Sequence, residues 1–133
     1  MSKVVSLSEA SSLAIHAMVM IAQSNKMINV NTISEATGAS RNHLAKVMQR
    51  LVKGGLVKST RGPSGGFLLN KPAKTISLLN IYESIEGAID MAGCPLDRQI
   101  CPFNKCLMGN LVYKVTDEIK EYFQSQNLEN FIK

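Results

Sequence analysis

Residues 38–69 have the sequence GASRNHLAKVMQRLVKGGLVKSTRGPSGGFLL. A helix is predicted over Arg41–Lys53, because Ser40 is a good N-cap, apolar residues recur at helical spacing and Gly54-Gly55 follows. A shorter helix precedes it, and only Gly38-Ala39-Ser40 separates the two. Two helices joined in this way, with glycine in the turn and polar groups opening the second helix, are typical of a helix-turn-helix.

A β-hairpin is predicted directly after these helices. Leu56–Thr60 contains β-branched residues suited to a strand, and Phe67–Asn70 provides a second strand. Between them, Arg61–Gly66 carries a proline and three glycines, which are expected to permit a tight turn and a close approach to a DNA backbone. A helix-turn-helix followed by a hairpin is a winged helix.

The remaining segments are predicted to be mostly helical. The expected elements are a helix over Leu7–Gln23, a short helix capped by Asn31 and ending at Thr37, a helix over Leu78–Glu86 capped by Ser77, a loop over Gly87–Asn104 and a helix over Leu107–Gln126. The last of these would be ~30 Å long, and its apolar stripe needs a partner, for which dimerisation is the natural choice.

The predicted fold class is therefore mainly α with a small β-hairpin wing. Residues 1–76 are expected to form a winged helix-turn-helix DNA-binding domain. Residues 77–133 are expected to carry a sensory cysteine loop and the long C-terminal dimerisation helix.

The composition excludes several classes of protein. The chain has 133 residues, of which 45% are hydrophobic and 19% charged, as in globular proteins. No run of residues reaches the ~18–20 apolar positions of a membrane span, and the first residues do not resemble a secretory signal. The three cysteines lie within 13 residues, unlike a secreted disulfide framework. We therefore expect a cytoplasmic protein that keeps its thiols for chemistry.

The charge is unevenly distributed along the chain. Residues 1–72 contain nine basic and two acidic residues, a net charge of +7, whereas residues 73–133 contain six basic and eight acidic residues, a net charge of −2. Six of the nine N-terminal cations lie between Arg41 and Arg61. A one-sided basic cluster is the electrostatic footprint of nucleic-acid binding, although an ordinary solvated basic face has the same composition.

Three motifs resemble the Rrf-type winged helix-turn-helix regulators, the family of IscR, NsrR and CymR. They are Ser40-Arg41-Asn42-His43-Leu44, Leu51-Val52-Lys53-Gly54-Gly55-Leu56-Val57 and the wing Arg61-Gly62-Pro63-Ser64-Gly65-Gly66-Phe67. The resemblance extends over nearly the whole chain. It implies a cytoplasmic, homodimeric transcription factor that binds a double-stranded DNA operator.

The first turn of the predicted recognition helix is expected to enter the major groove. Arginine bidentate to guanine, or asparagine to adenine, gives ~1–3 kcal/mol of discrimination between bases. The candidate DNA-binding residues are Ser40, Arg41, Asn42, His43, Lys46, Arg50 and, at the wing, Arg61. The alternative interpretation makes Arg50 a solvated surface residue and His43 a polar residue at a helix start.

The cysteines have the spacing Cys94-x6-Cys101-x4-Cys106, which is unlike a zinc ribbon or a thioredoxin-like pair. Three thiolates in one loop suit an iron–sulfur cluster, either 2Fe-2S or 4Fe-4S. Free thiols and a reversible disulfide sensor are alternatives. In cluster-bearing members of the family, three cysteines of this loop are the ligands, with a usual spacing of five and five. Here the outer separation is unchanged and the middle cysteine is moved by one residue.

The resemblance leaves the fourth ligand open. One branch of the family has a histidine at the position of Gly109, and another uses a carboxylate at the position of Ser12 from the partner subunit. A further variant has a histidine at the position of His16, which we therefore take as the candidate fourth metal ligand. Glu9 lies on the same stripe of the first helix and is a second candidate.

The leading hypothesis is a dimeric DNA-binding regulator that senses iron–sulfur status, redox state or nitric oxide through a cluster on three cysteines. One alternative is a cluster-free regulator that uses a thiol switch or a protein partner. Another, from a different class, is a small iron–sulfur electron carrier or cluster donor, which the basic N-terminal half disfavours. We expect no enzyme and no small-molecule substrate, because no catalytic constellation is visible. We also expect no membrane partner, because no apolar run is long enough for a membrane span.

Overall fold

The computed structural model describes residues 3–24, 26–63, 65–91 and 102–132. Within these residues it has five α-helices and one antiparallel hairpin. The elements are α1 (Glu9–Gln23), α2 (Val30–Thr37), α3 (Arg41–Lys53), β1 (Val57–Thr60), β2 (Gly66–Leu69), α4 (Leu78–Glu86) and α5 (Leu111–Ser125). Short 3-10 turns lie at Ala73–Thr75 and Leu128–Phe131. The predicted order of helices and strands is confirmed.

The predicted caps Ser40 and Ser77 are present, and the predicted cap Asn31 is wrong. The side chains of Ser8, Ser40 and Ser77 each accept a hydrogen bond from a backbone N–H in the first turn of α1, α3 and α4. The cap of α2 is Asn29 and not Asn31. Ile28 pairs with the wing as an isolated bridge, so the chain leaves that extended pairing and enters the helix at Asn29.

The C-terminal helix is shorter than predicted. It begins at Leu111 and not at Leu107, because Gly109 and Asn110 have positive φ angles of 62° and 58°, which an α-helix cannot contain. With 15 residues it is ~22 Å long instead of ~30 Å. β1 begins one residue later than predicted, at Val57, and β2 lies one residue earlier than predicted, at Gly66–Leu69.

The hydrophobic core draws on both of the predicted domains. Leu13 and Met18 of α1 and Leu44 of α3 belong to the same buried cluster as Ile81 of α4 and Phe123 of α5. The division into a DNA-binding domain, residues 1–76, and a sensory and dimerisation domain, residues 77–133, stays a prediction. Among the described residues, no helix is both long enough and apolar enough to cross a bilayer.

The wing is joined to the body of the protein through its second strand. The N–H of Phe67 donates a hydrogen bond to the Ile28 carbonyl at 2.8 Å. Gly66 lies so close to this carbonyl that an added Cβ would be 2.6 Å from its oxygen. Gly66 therefore permits a close approach to the protein's own backbone, and this contact joins β2 to the residues before α2. A close approach of the wing glycines to DNA stays a prediction.

Candidate nucleic-acid interface

The first turn of α3 presents polar side chains to solvent. Ser40, Arg41 and Asn42 are exposed, and Ser40 also accepts a hydrogen bond from the N–H of His43 at 3.1 Å. The first N–H groups of a helix lack helical partners and carry the positive end of its dipole, so this end attracts phosphate. The apolar side chains Leu44, Val47, Met48 and Leu51 are buried and anchor the opposite face of the helix.

Arg41 is held by a residue of the preceding helix. Its Nη1 donates a hydrogen bond to Oδ1 of Asn31 at 3.2 Å. From the sequence, Asn31 was predicted only as a helix cap, and its contact with Arg41 was missed. No local pattern in the sequence links the two positions, because the contact arises from the packing of α2 against α3.

His43 faces a carboxylate on α1. Its Nδ1 lies 3.7 Å from Oε1 of Glu9, and the side chains are 36% and 75% exposed, respectively. From the sequence, Glu9 was predicted only as a second candidate metal ligand. The structure instead brings it to the first turn of α3, at the predicted DNA surface.

The two basic residues further along α3 have different surroundings. Lys46 is exposed, and the described residues offer it no ion-pair partner. Arg50 is exposed as well, but its Nη1 donates a hydrogen bond to the Ile85 carbonyl at the end of α4, at 3.1 Å. The predicted DNA contact of Arg50 stays a prediction, and the structure gives its guanidinium an intramolecular partner.

Arg61 begins the turn of the wing, directly after β1, and is exposed. The next residue, Gly62, has a φ of 110°, a conformation that other residues rarely adopt. Gly65 lies against the Thr60 carbonyl, where any side chain would collide with backbone. The turn therefore requires glycine, and it leaves the Arg61 side chain at the surface on the chain segment that follows α3.

Only one of the three cysteines lies within the described residues. Cys94 and Cys101 lie outside them, whereas Cys106 is exposed in the segment before α5. The backbone N–H groups of Asn110 and then Met108 lower the pKa of the Cys106 thiol, because they hydrogen-bond to the thiolate. Within the described ranges, no three His, Cys, Asp or Glu side chains gather as a metal site.

His16 lies exposed on α1, and its Nδ1 is 2.7 Å from the Ser12 carbonyl oxygen. A carbonyl only accepts, so Nδ1 is the donor, and in the neutral form of the ring Nε2 carries a lone pair. A neutral imidazole in this tautomer has the chemistry of a metal ligand.

An apolar groove lies between the N-terminal segment and α5. It has a volume of about 470 Å³, and its lining is Val5, Leu7, Val115, Glu118, Ile119, Tyr122 and Phe123. Leu111 and Tyr122, near the two ends of the helix, are 58% and 54% exposed. This end of the molecule therefore carries much more exposed apolar surface than the first turn of α3.

Comparison of the sequence with known families gives one match over almost the whole chain. The model of the Rrf2 family, described as an iron-dependent transcriptional regulator, matches residues 7–133. The transcriptional regulator IscR of Pectobacterium atrosepticum is 33% identical over 101 residues, and that of Photorhabdus laumondii is 35% identical over 101 residues. Each alignment covers 75% of this chain but 61% of the relative, so the chain spans less than two thirds of these curated relatives.

Solved structures show the same architecture. The structure of CymR, the global cysteine regulator of B. subtilis, has a TM-score of 0.78 at 23% identity and covers 95% of both chains. The structure of T. potens IscR has a TM-score of 0.74 at 25% identity, with 96% of this chain and 85% of that chain covered. The predicted fold class, a winged helix-turn-helix, is confirmed by this likeness.

Proposed function

We propose, since the chain belongs to the Rrf2 family of transcriptional regulators, that it regulates transcription by binding a double-stranded DNA operator. The observation that carries this proposal is the exposed, polar first turn of α3, where Arg41 is oriented by Asn31. Arg41 and Asn42 contact base edges in the major groove, and Ser40, Lys46 and Arg61 bind phosphates. The net charge of +7 over residues 1–72 supplies the attraction to the duplex.

DNA binding is tested with duplexes that the wild-type protein selects from a random-sequence library, with a scrambled duplex as the reference. Arg41→Ala should weaken binding to the selected duplex by about 1–3 kcal/mol and relax the preference at one base position. Lys46→Ala should weaken binding to both duplexes and reduce the salt dependence by about one released counterion. Lys74→Ala removes the same charge outside the predicted interface and is the control. Failure of the wild-type protein to bind any duplex in a salt-dependent way would overturn the proposal.

We further propose that the cysteines hold an iron–sulfur cluster, with Cys94, Cys101 and Cys106 as protein ligands and His16 of a partner subunit as the fourth. Two observations support the fit. Backbone N–H groups favour the thiolate form of Cys106, and the hydrogen bond of His16 leaves Nε2 available for a metal. Bound there, the cluster would supply one-electron redox chemistry, and the cytoplasm would keep the thiols reduced.

Purification without air tests the cluster. We expect a coloured protein with bound iron and sulfide, and a colourless one after Cys106→Ser. His16→Ala should change the absorption spectrum or the reduction potential, because one ligand is exchanged while the three thiolates remain. A colourless wild-type protein whose DNA affinity is the same before and after reconstitution with iron and sulfide would contradict the proposal.

A metal-free thiol switch is the second candidate, and the exposed, low-pKa Cys106 thiol favours it specifically. In that case oxidant would change DNA affinity in protein that contains no iron. Replacement of all three cysteines by serine would abolish this response and leave the metal content unchanged.

We also propose that the protein is a homodimer formed through the apolar groove beside α5. Helix-turn-helix proteins bind two half-sites about one DNA turn apart, roughly 34–36 Å, through a two-fold dimer. A second copy is the occupant that this mechanism requires, and the exposed Leu111 and Tyr122 side chains provide apolar area for it.

A further inference from the structure

The last turn of α4 makes a direct contact with the C-terminal part of α3. Arg50 of α3 donates from Nη1 to the Ile85 carbonyl at 3.1 Å, across 35 residues of sequence. This carbonyl is one of the last four carbonyl groups of α4, which have no hydrogen-bond donor within the helix. The negative end of the helix dipole also favours a cation at this position. The contact therefore satisfies a carbonyl group and joins the two helices.

The same turn of α4 is connected to the first turn of α3 through α1. The hydroxyl of Ser8 donates to Oε1 of Glu86, and Ser8 is also the N-cap of α1. Glu86 thus places a carboxylate at the positive end of α1, which stabilises that end of the helix. The residue after Ser8 is Glu9, whose carboxylate lies 3.7 Å from Nδ1 of His43. One turn of α4 is in this way connected to both ends of α3.

We infer that the last turn of α4 determines how α3 is oriented on DNA, with Glu86 and Arg50 as positioning residues. The inference rests on the proposed DNA binding and deepens it. Base contacts need hydrogen-bond distances of about 2.7–3.2 Å, so a small rotation of α3 removes them. Contacts with phosphates tolerate such a rotation better and carry no sequence information. Loss of either positioning residue therefore lowers selectivity more than overall affinity.

Glu86 gives the sharper test, because its charge and its hydrogen bond have opposite effects. Glu86→Ala and Glu86→Gln each remove one negative charge, which by itself would strengthen binding to a polyanion. Only glutamine retains an oxygen that accepts from Ser8. We expect Glu86→Ala to lower the ratio of selected to scrambled affinity about fivefold, the effect of one hydrogen bond. Glu86→Gln should remain within about twofold of wild type.

Two results would overturn the role of Glu86. One is an equal loss of affinity in Glu86→Gln and Glu86→Ala, and the other is tighter binding by both. Glu129→Ala removes an exposed carboxylate elsewhere and controls for the change in net charge.

Arg50 is tested by the salt dependence of binding. For a positioning residue, Arg50→Ala should lower the ratio of selected to scrambled affinity and leave the salt dependence as in wild type. If Arg50 instead contacts a phosphate, Arg50→Ala should reduce the salt dependence by about one counterion and leave the ratio of selected to scrambled affinity unchanged, as we expect for Lys46→Ala. This result for Arg50→Ala would overturn its role as a positioning residue. If Arg50→Ala fails to fold, Arg50→Gln retains a donor for the carbonyl without the charge. Absence of DNA binding by the wild-type protein would instead overturn the proposed function, and this inference with it.

Discussion

Nη1 of Arg41 donates a hydrogen bond to Oδ1 of Asn31 at 3.2 Å, so the first helix of the helix-turn-helix orients the first cation of the second. Both side chains are exposed, and neither is part of the hydrophobic core. The contact restricts the rotamers of a long side chain before any DNA is bound. An arginine oriented in this way loses less conformational entropy when it contacts a base.

Asn31→Ala is therefore expected to weaken binding to the selected duplex by ~1 kcal/mol, roughly fivefold, because the hydrogen bond that orients Arg41 is lost. The salt dependence should not change, since no charge is removed. Binding titrations at several salt concentrations measure both quantities. Asn42→Ala is the comparison, since it removes a predicted base contact directly. If Asn31→Ala binds the selected duplex as tightly as wild type does, the orientation of Arg41 before DNA is bound does not contribute to affinity.

Gly66→Ala is expected to destabilise the fold by about 1–3 kcal/mol, because the added Cβ would be 2.6 Å from the Ile28 carbonyl oxygen and β2 would have to move away. Urea unfolding at a fixed protein concentration measures the change. Ser59→Ala, an exposed change in β1 of the same wing, should stay within about 0.5 kcal/mol of wild type. Equal stability of Gly66→Ala and wild type would mean that the wing does not need this contact.

The pKa of the Cys106 thiol is lowered in the folded protein, so a larger fraction is thiolate at a given pH than in the unfolded chain. In a variant with Cys94→Ser and Cys101→Ser, alkylation of Cys106 by iodoacetamide should reach half its maximal rate at a lower pH than in the same variant unfolded by guanidinium. The reason is that the amides of Asn110 and Met108 stabilise the anion only in the folded backbone. Coinciding midpoints in the two states would refute this account.

Tyr122→Glu should dissociate the proposed homodimer, since a carboxylate in an apolar interface remains unpaired and costs about 3 kcal/mol or more, roughly a hundredfold in the dissociation constant. Sedimentation equilibrium measures this constant. Gln124→Glu introduces the same charge on the opposite side of α5, because two residues correspond to about 200° of rotation, and should leave the dimer intact. Equal dissociation of both variants would place the interface elsewhere.

Most interactions within one helical turn could be predicted correctly, with the cap of α2 as the exception. Ser40 and Ser77 cap their helices as expected, and Gly38 adopts the left-handed conformation that ends α2. Each of these depends on hydrogen bonds or sterics within about four residues, which the local sequence specifies. The start of α5 was missed because the apolar repeat continues through Gly109 and Asn110, although both residues adopt left-handed angles.

The amino-acid sequence by itself determined the order of helices and strands, the buried face of α3 and the polar residues that open it, because periodicity and capping are local properties. Only the tertiary structure decided which partners the polar groups have. Asn31 meets Arg41, Arg50 meets Ile85 and Ser8 meets Glu86 across 10, 35 and 78 residues. Such contacts follow from the way α1, α2 and α4 pack around α3 through their shared apolar core. No spacing along the chain specifies them, and only the packing of the helices identifies the Ile85 carbonyl as the partner of Arg50.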